Sequence, residues 1–202
     1  MANGVAVMAP SYTLRMDGTP GALARAAATG DQEAWARLVQ RYNAMVWSIV
    51  RSFRLGHHDS VDVVQTVWLR LVENLGRLRE PDAVGTWLAT TARHECLSQL
   101  RRRDRQAIPM DAAIRDADDT ASPQPGDALM DKERNAALWA ALGRASAQCQ
   151  QLLRILATDP PPSYQEVSVA LDMPVGSIGP TRARCLEKLR QFISTGPTEM
   201  AL

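Results

Sequence analysis

The chain reads as an all-α protein of two small helical domains joined by a flexible acidic linker, and three observations carry that reading. Apolar residues recur at helical spacing in every long segment, and no stretch alternates with the two-residue period of a strand. Between the helical segments, Ala107 to Asp131 is rich in Asp, Pro, Gly and Ser, with no period long enough to bury anything. The boundaries follow: an N-terminal tail at 1–24, a first domain at 25–106, the linker at 107–131, a second domain at 132–195 and a tail at 196–202.

Residues Met1 to about Gly21 carry Gly and Pro without periodicity and read as flexible. The first strong helix is expected from Asp31, a suitable N-cap, to Leu55, with Gly56 as its stop. Ala34, Leu38, Tyr42, Met45, Ile49 and Phe53 recur at three and four residues, and Trp35, Val39, Val46 and Val50 widen the stripe. Past a turn at His57 and His58, Asp59 or Ser60 can cap a second helix ending near Asn74 and Gly76. Its apolar row is Val64, Val67, Leu71 and Leu75, and its other face offers Asp62, Gln65, Thr66, Arg70 and Glu73. A short link, Arg77 to Asp82, leads to a third helix at Thr86 to Arg105, with Asp82 as its cap.

After the linker the helical pattern resumes at Lys132, pauses at Gly143-Arg144 and restarts after Ser146 with Cys149, Leu152, Leu153 and Leu156. Thr158-Asp159-Pro160-Pro161-Pro162 ends it. Ser163-Tyr164-Gln165-Glu166 is a capping box opening a short helix through Val167, Ala170 and Leu171. Asp172-Met173-Pro174 is a turn, and a longer helix follows from Val175 or Ser177 to Ile193. Pro180 is acceptable there if the helix starts near Ser177, because a first-turn proline forfeits no intrahelical bond.

Composition bounds the chemistry. With 46% hydrophobic residues in 202, the chain can bury a real core, and a net charge of +1 gives no global argument for nucleic acid. Charge is instead segregated: Arg93, Arg101, Arg102, Arg103 and Arg105 crowd one region, and Asp111, Asp116, Asp118, Asp119, Asp127 and Asp131 the next. No signal peptide and no apolar run long enough to span a bilayer is present, so a cytoplasmic protein without a membrane partner is expected. Cys96, Cys149 and Cys185 are widely separated at apolar helical positions and read as buried thiols, with no paired spacing for a metal and no cofactor expected. All five tryptophans, Trp35, Trp47, Trp68, Trp87 and Trp139, sit in apolar segments and are expected to pack.

Two stretches point to nucleic acid. At 100° per residue, Thr86, Thr90, Arg93, His94, Leu97 and Arg101 share one face of the third helix, opposite the row Leu88, Ala92, Cys96 and Leu100. Guanidinium groups beside Thr and His suit phosphates together with exposed bases, because Arg both pairs with phosphate and stacks on base planes. The second stretch pairs a short helix with a tight turn and a basic helix. That is the helix-turn-helix arrangement, with Ser177, Thr181, Arg184 and Lys188 on the face that would enter a major groove. The rival readings are a solvated basic helix end and a generic helical hairpin. No nucleophile–base pair or carboxylate pair suggests an enzyme or a small-molecule substrate.

Four stretches in order, GDQEAWARLVQRY, DVVQTVWLRL, TWLATTARHECLSQLRRR and SYQEVSVALDMPVGSIGPTRARCLEKLR, resemble the extracytoplasmic-function group of bacterial sigma factors across most of Gly30 to Phe192. The resemblance implies a non-enzymatic subunit with a region 2 helical bundle and a region 4 helix-turn-helix. Its implied partners are RNA polymerase core, through the β′ clamp helices and the β flap, and promoter DNA, duplex and melted, with an anti-sigma protein as a further partner. It assigns Asp62, Gln65, Thr66, Trp68 and Arg70 to the polymerase surface. The −10 element falls to Arg79, Thr86, Thr90, Arg93, His94, Leu97, Arg101 and Arg102, with His94 where many relatives have Asn. The −35 element falls to Ser177, Pro180, Thr181, Arg182, Arg184 and Lys188. The acidic linker is expected to enter the polymerase along the path of nascent RNA. A stand-alone helix-turn-helix regulator is the alternative, and it would need an apolar surface for dimerisation that the helices above do not leave spare.

Overall fold

The computed structural model describes residues 18–106 and 129–194, all of them helix, turn or coil. The helices are α1 (Pro20–Ala28), α2 (Gln32–Ser52), α3 (His57–Asn74), α4 (Val84–Gln106), α5 (Leu129–Arg144), α6 (Ala147–Leu156), α7 (Tyr164–Leu171) and α8 (Val175–Ser194). Two 3-10 turns, Leu75–Arg77 and Pro81–Ala83, lie between α3 and α4. Of the expected linker, 107–128 lies outside the described residues, as do 1–17 and 195–202, whereas 129–131 are already part of α5, which starts before the expected boundary at 132.

Local chemistry explains most of these limits. Asp31 caps α2 by accepting from the backbone N–H groups of Glu33 and Ala34 at 2.9 and 3.0 Å. Ser146 caps α6 through the Cys149 N–H. Ser163 and Glu166 form the reciprocal box expected for α7, with Ser163 N–H donating to Glu166 Oε2 at 2.6 Å and Glu166 N–H to Ser163 Oγ at 3.3 Å.

Three local expectations are corrected and a fourth is narrowed. The chain is helical from Pro20 rather than irregular through Gly21, because Thr19 caps α1 and Pro20 occupies its first turn. Asp82 does not cap α4: it accepts from Gly21 N–H at 3.1 Å and lies 3.7 Å from Arg25, so it anchors α1 instead. α3 begins at His57 without a side-chain cap, and Asp59 is drawn to α4 by Arg103 at 2.7 Å and Gln99 at 2.9 Å. α8 takes the earlier of its two expected starts, Val175, so Pro180 lies past the first turn, where it removes the N–H that would bond to Gly176.

One apolar core runs through both halves of the chain. Leu38, Ile49, Val50, Val67, Leu71, Val84 and Leu88 from α2 to α4 form a continuous cluster with Leu152 and Ile155 of α6, Val167 and Ala170 of α7, and Ile178 of α8. The residual packing of α5, α6 and α8 is thin. Ala141, Leu142 and Leu189 make one small cluster and Ala145, Cys149 and Cys185 another, both flanked by Leu153 and Phe192. Within the second cluster Cys149 and Cys185 are joined as a disulfide, where two thiols were expected. Cys96 remains a buried thiol.

Candidate nucleic-acid and polymerase interfaces

α3 presents the first candidate surface. Its buried row, Val63, Val64, Val67 and Leu71, fixes the opposite side outward, so Asp62 and Gln65 are exposed. Thr66 turns its hydroxyl back to the Asp62 carbonyl at 2.8 Å. Trp68 sits on the flank, edge-on to Trp35 at 5.9 Å. Arg70, on the other flank, pairs with Glu95 of α4 at 3.0 Å and so braces α3 against α4. Sequence reasoning missed Leu69 and Val72, which are 59% and 58% exposed between Gln65 and Glu73. The signal was present: both fall off the buried row at helical spacing, and apolar side chains held in water beside polar ones mark a contact surface.

The second surface is built on α4. Val84, Leu88, Ala92 and Cys96 are buried, which leaves His94, Arg101 and Arg102 outward; Thr86, Thr90, Arg93 and Leu97 are half-buried along the same face. Thr90 donates its hydroxyl to the Thr86 carbonyl at 2.8 Å, and Arg79 stands exposed in the loop before the helix. The arginines divide by role: Arg103 is committed to Asp59, whereas Arg101, Arg102 and Arg105 keep an exposed cationic end.

α7 lies beside α4 and bounds this face. Gly85 is the seat: a Cβ there would run into the Glu166 carboxylate and the Tyr42 ring. Burial holds the Tyr42 hydroxyl above its ordinary pKa, and the Glu166 carboxylate adds to the effect. At the other end of α7, Asp172 takes a left-handed backbone, φ 56°, that closes the helix. Its carboxylate meets Arg93 at 2.8 Å. Gln151 of α6 adds a bond to the Ser52 carbonyl at 2.8 Å. Arg93, a candidate base-reading residue, is therefore engaged within the chain.

The third surface is α8, whose buried side is Ile178, Cys185 and Leu189. Successive turns carry Ser177, Thr181, Arg184 and Lys188 along one flank of that row, the first two half-buried and the last two exposed, with Pro180 exposed beyond them. Ser177 hydroxyl donates to the Pro174 carbonyl at 2.7 Å, and Arg184 guanidinium to Thr181 Oγ1 at 3.2 Å. Arg182 is exposed but lies on the far flank, so helical geometry separates it from the other five. The α7–α8 turn is held by Ser168, which donates to the Met173 carbonyl at 2.6 Å. Trp139 of α5 is 51% exposed beneath Arg154, rather than packed.

Among the described residues, no group of His, Cys, Asp and Glu is arranged to hold a metal ion, and no helix is long and apolar enough to cross a membrane.

Residues 38–106, which include the α3 and α4 surfaces, match the family Sigma-70 region 2. Beyond that region the chain is similar to extracytoplasmic-function sigma factors. The ECF RNA polymerase sigma factor SigE of Mycolicibacterium smegmatis is 26% identical over 180 residues, spanning 86% of this chain and 68% of that protein. Two solved structures share the fold. CnrH in complex with the cytosolic domain of CnrY has a TM-score of 0.54 at 20% identity, covering 89% of this chain and 99% of that one. The sigma factor RpoE in complex with the anti-sigma factor NepR from Bartonella quintana also scores 0.54, at 18% identity, covering 82% and 99%.

Proposed function

We propose that this chain is a promoter-specificity subunit: it binds RNA polymerase core, reads −10 and −35 elements and promotes opening of the duplex, with no catalysis of its own. The observation that carries the reading is the α4 face placed within the 38–106 region 2 match, followed by the α7–α8 pair. In this division, 25–106 serves core and the −10 element, and 132–195 the −35 element.

Each surface supplies a distinct part. The α3 face, with Leu69 and Val72 at its centre and Asp62, Gln65 and Thr66 around them, offers an apolar anchor with a polar rim for the β′ clamp helices. Along α4, Arg101 and Arg102 neutralise phosphates, and Thr86, Thr90 and His94, joined by Arg93 once it leaves Asp172, supply hydrogen-bonding groups to a base held outside the stack. On α8, Arg184 suits a bidentate contact to guanine, with Ser177, Thr181 and Lys188 placed for neighbouring bases and phosphates. The region 2 match argues against a stand-alone helix-turn-helix regulator, which needs no such bundle. Work on polymerase places the protein in the cytoplasm, and an anti-sigma protein is a fitting regulator because both named structures hold sigma-type folds with such partners or a cytosolic domain.

Titration of labelled full-length chain with polymerase core tests the reading. Nanomolar binding of wild type, lost in a Leu69→Asp variant of unchanged helicity, supports it. Failure of the wild-type chain to bind core at any accessible concentration would remove the basis for the proposal.

A further inference from the structure

We infer that Cys149 and Cys185 are a site of reversible oxidation, a dithiol–disulfide couple that sets how firmly the recognition helix α8 is held. The inference rests on the proposed function for two of its terms: that α8 reads duplex DNA, and that the protein works in the cytoplasm. In that compartment a disulfide is uncommon as a permanent staple and is usually transient or redox-sensing.

The geometry is local and specific. The two residues come from different helices, 36 positions apart in sequence, and their Cα atoms are 5.4 Å apart, inside the range a disulfide spans without backbone movement. Cys149 is the third residue of α6, in its first turn, with its own N–H on the Ser146 cap. A thiolate there faces the positive end of the helix, which favours the nucleophilic form. It is also the more accessible partner, at 7% exposure against 1% for Cys185. Cys96 behaves as an internal control: it has no bonded partner, it is fully buried, and burial pushes its pKa up to about 12.

The bond ties α6 to the middle of α8. Ile178 ties the start of α8 into the main core and Leu189 ties its later part into a small cluster. Between them, Cys185 clusters with Ala145 and Cys149, with Leu153 and Phe192 alongside, among the described residues. Arg184 precedes Cys185, and Thr181 and Lys188 lie one turn either side of it. Cleaving the bond removes the covalent tie between α6 and the middle of α8. In a cluster this small that releases the middle of α8, and with it the outward residues.

The chemistry balances with a low-molecular-weight disulfide as oxidant. The Cys149 thiolate attacks one sulfur of the oxidant and expels the other as a thiolate, leaving a mixed disulfide on Cys149. Cys185, as thiolate, attacks the Cys149 sulfur and expels the second small thiolate. The two cysteine protons end on the two released thiols, the protein loses two electrons and the oxidant gains them. A small thiol in excess runs the sequence backwards.

The test uses the full chain, reduced with dithiothreitol and then treated with glutathione disulfide. The couple predicts loss of two hydrogens by intact mass, protection of Cys149 and Cys185 from alkylation under native conditions, and a higher thermal midpoint. It also predicts duplex binding at the upstream promoter element tighter by about threefold or more, since a preorganised helix has less to order on binding. The C149S and C149A variants should be indifferent to glutathione disulfide in melting and in duplex binding, the alanine serving if the serine unfolds. The inference is overturned if treatment leaves the mass unchanged, or if oxidised and reduced chains melt alike. Mass and melting shifts without duplex binding in either state would support the couple and reject the DNA-reading role of α8.

Discussion

Gly85 shows how much one residue can decide here. A Cβ at this position meets the Glu166 carboxylate and the Tyr42 ring, both on elements that must sit close for α7 to lie beside α4. Gly85→Ala should therefore destabilise the protein by about 1–3 kcal/mol, the usual cost of overpacking, read as a lower urea midpoint with unchanged slope. Nothing in the sequence marked this glycine, since its reason lies in a side chain 81 positions away. Cys96 was legible as a buried thiol from its apolar row, and its raised pKa has a consequence. The folded state keeps the proton up to about pH 12, whereas the unfolded thiol loses it near 9. The stability this group contributes is thus fully present below pH 9 and is lost as the pH rises from 9 toward 12. Native alkylation at pH 8 should spare Cys96, with modification only after denaturation; rapid native labelling would contradict its burial.

Among the helices, those with local end signals were legible and those without were not. Asp31, Ser146 and the Ser163–Glu166 box announce α2, α6 and α7 because each cap bonds to a neighbour a few residues on. α1 was missed because its nine residues offer mostly Ala and Gly, and its anchor, Asp82, lies 61 positions from its partner Gly21. Asp82 and Asp59 each looked like caps from spacing alone, but distant partners claim them. The outward faces follow the same logic. α8 carries Arg184 and Lys188 together but Arg182 apart, so Arg184→Ala should cost about 1–3 kcal/mol at one or two base positions. Arg182→Ala should leave duplex affinity nearly unchanged; binding-site selection with both variants checks the contrast. On α3, Leu69→Asp should lower core affinity by about 2–4 kcal/mol while thermal stability holds, because a side chain 59% exposed adds little to the fold.

Across the whole molecule, helices from both sides of the expected linker share one apolar core and a set of polar ties. The sequence pattern could not say whether these helices meet, because that depends on small residues such as Gly85 and on Asp172 in a left-handed turn. The Arg93–Asp172 pair links a −10 candidate residue to the helix-turn-helix, with Asp172 80% exposed, so its worth is limited to about 1 kcal/mol or less. Asp172→Asn keeps a residue that tolerates the left-handed turn and removes the charge. It should raise affinity for a single-stranded −10 oligonucleotide by up to about fivefold, with a smaller gain at high salt. Equal affinity at low salt would mean that the pair does not hold Arg93 from DNA.

The most direct test of the whole account is transcription by polymerase core on fragmented genomic DNA, with and without the purified chain, mapping the 5′ ends of the RNA and permanganate-reactive thymines together. The account predicts discrete start sites that require the chain, share paired upstream motifs and show melted thymines at the nearer one, with His94→Ala reducing melting more than core binding. Start sites and reactive thymines that are the same with and without the chain, under conditions where it binds core, would contradict it.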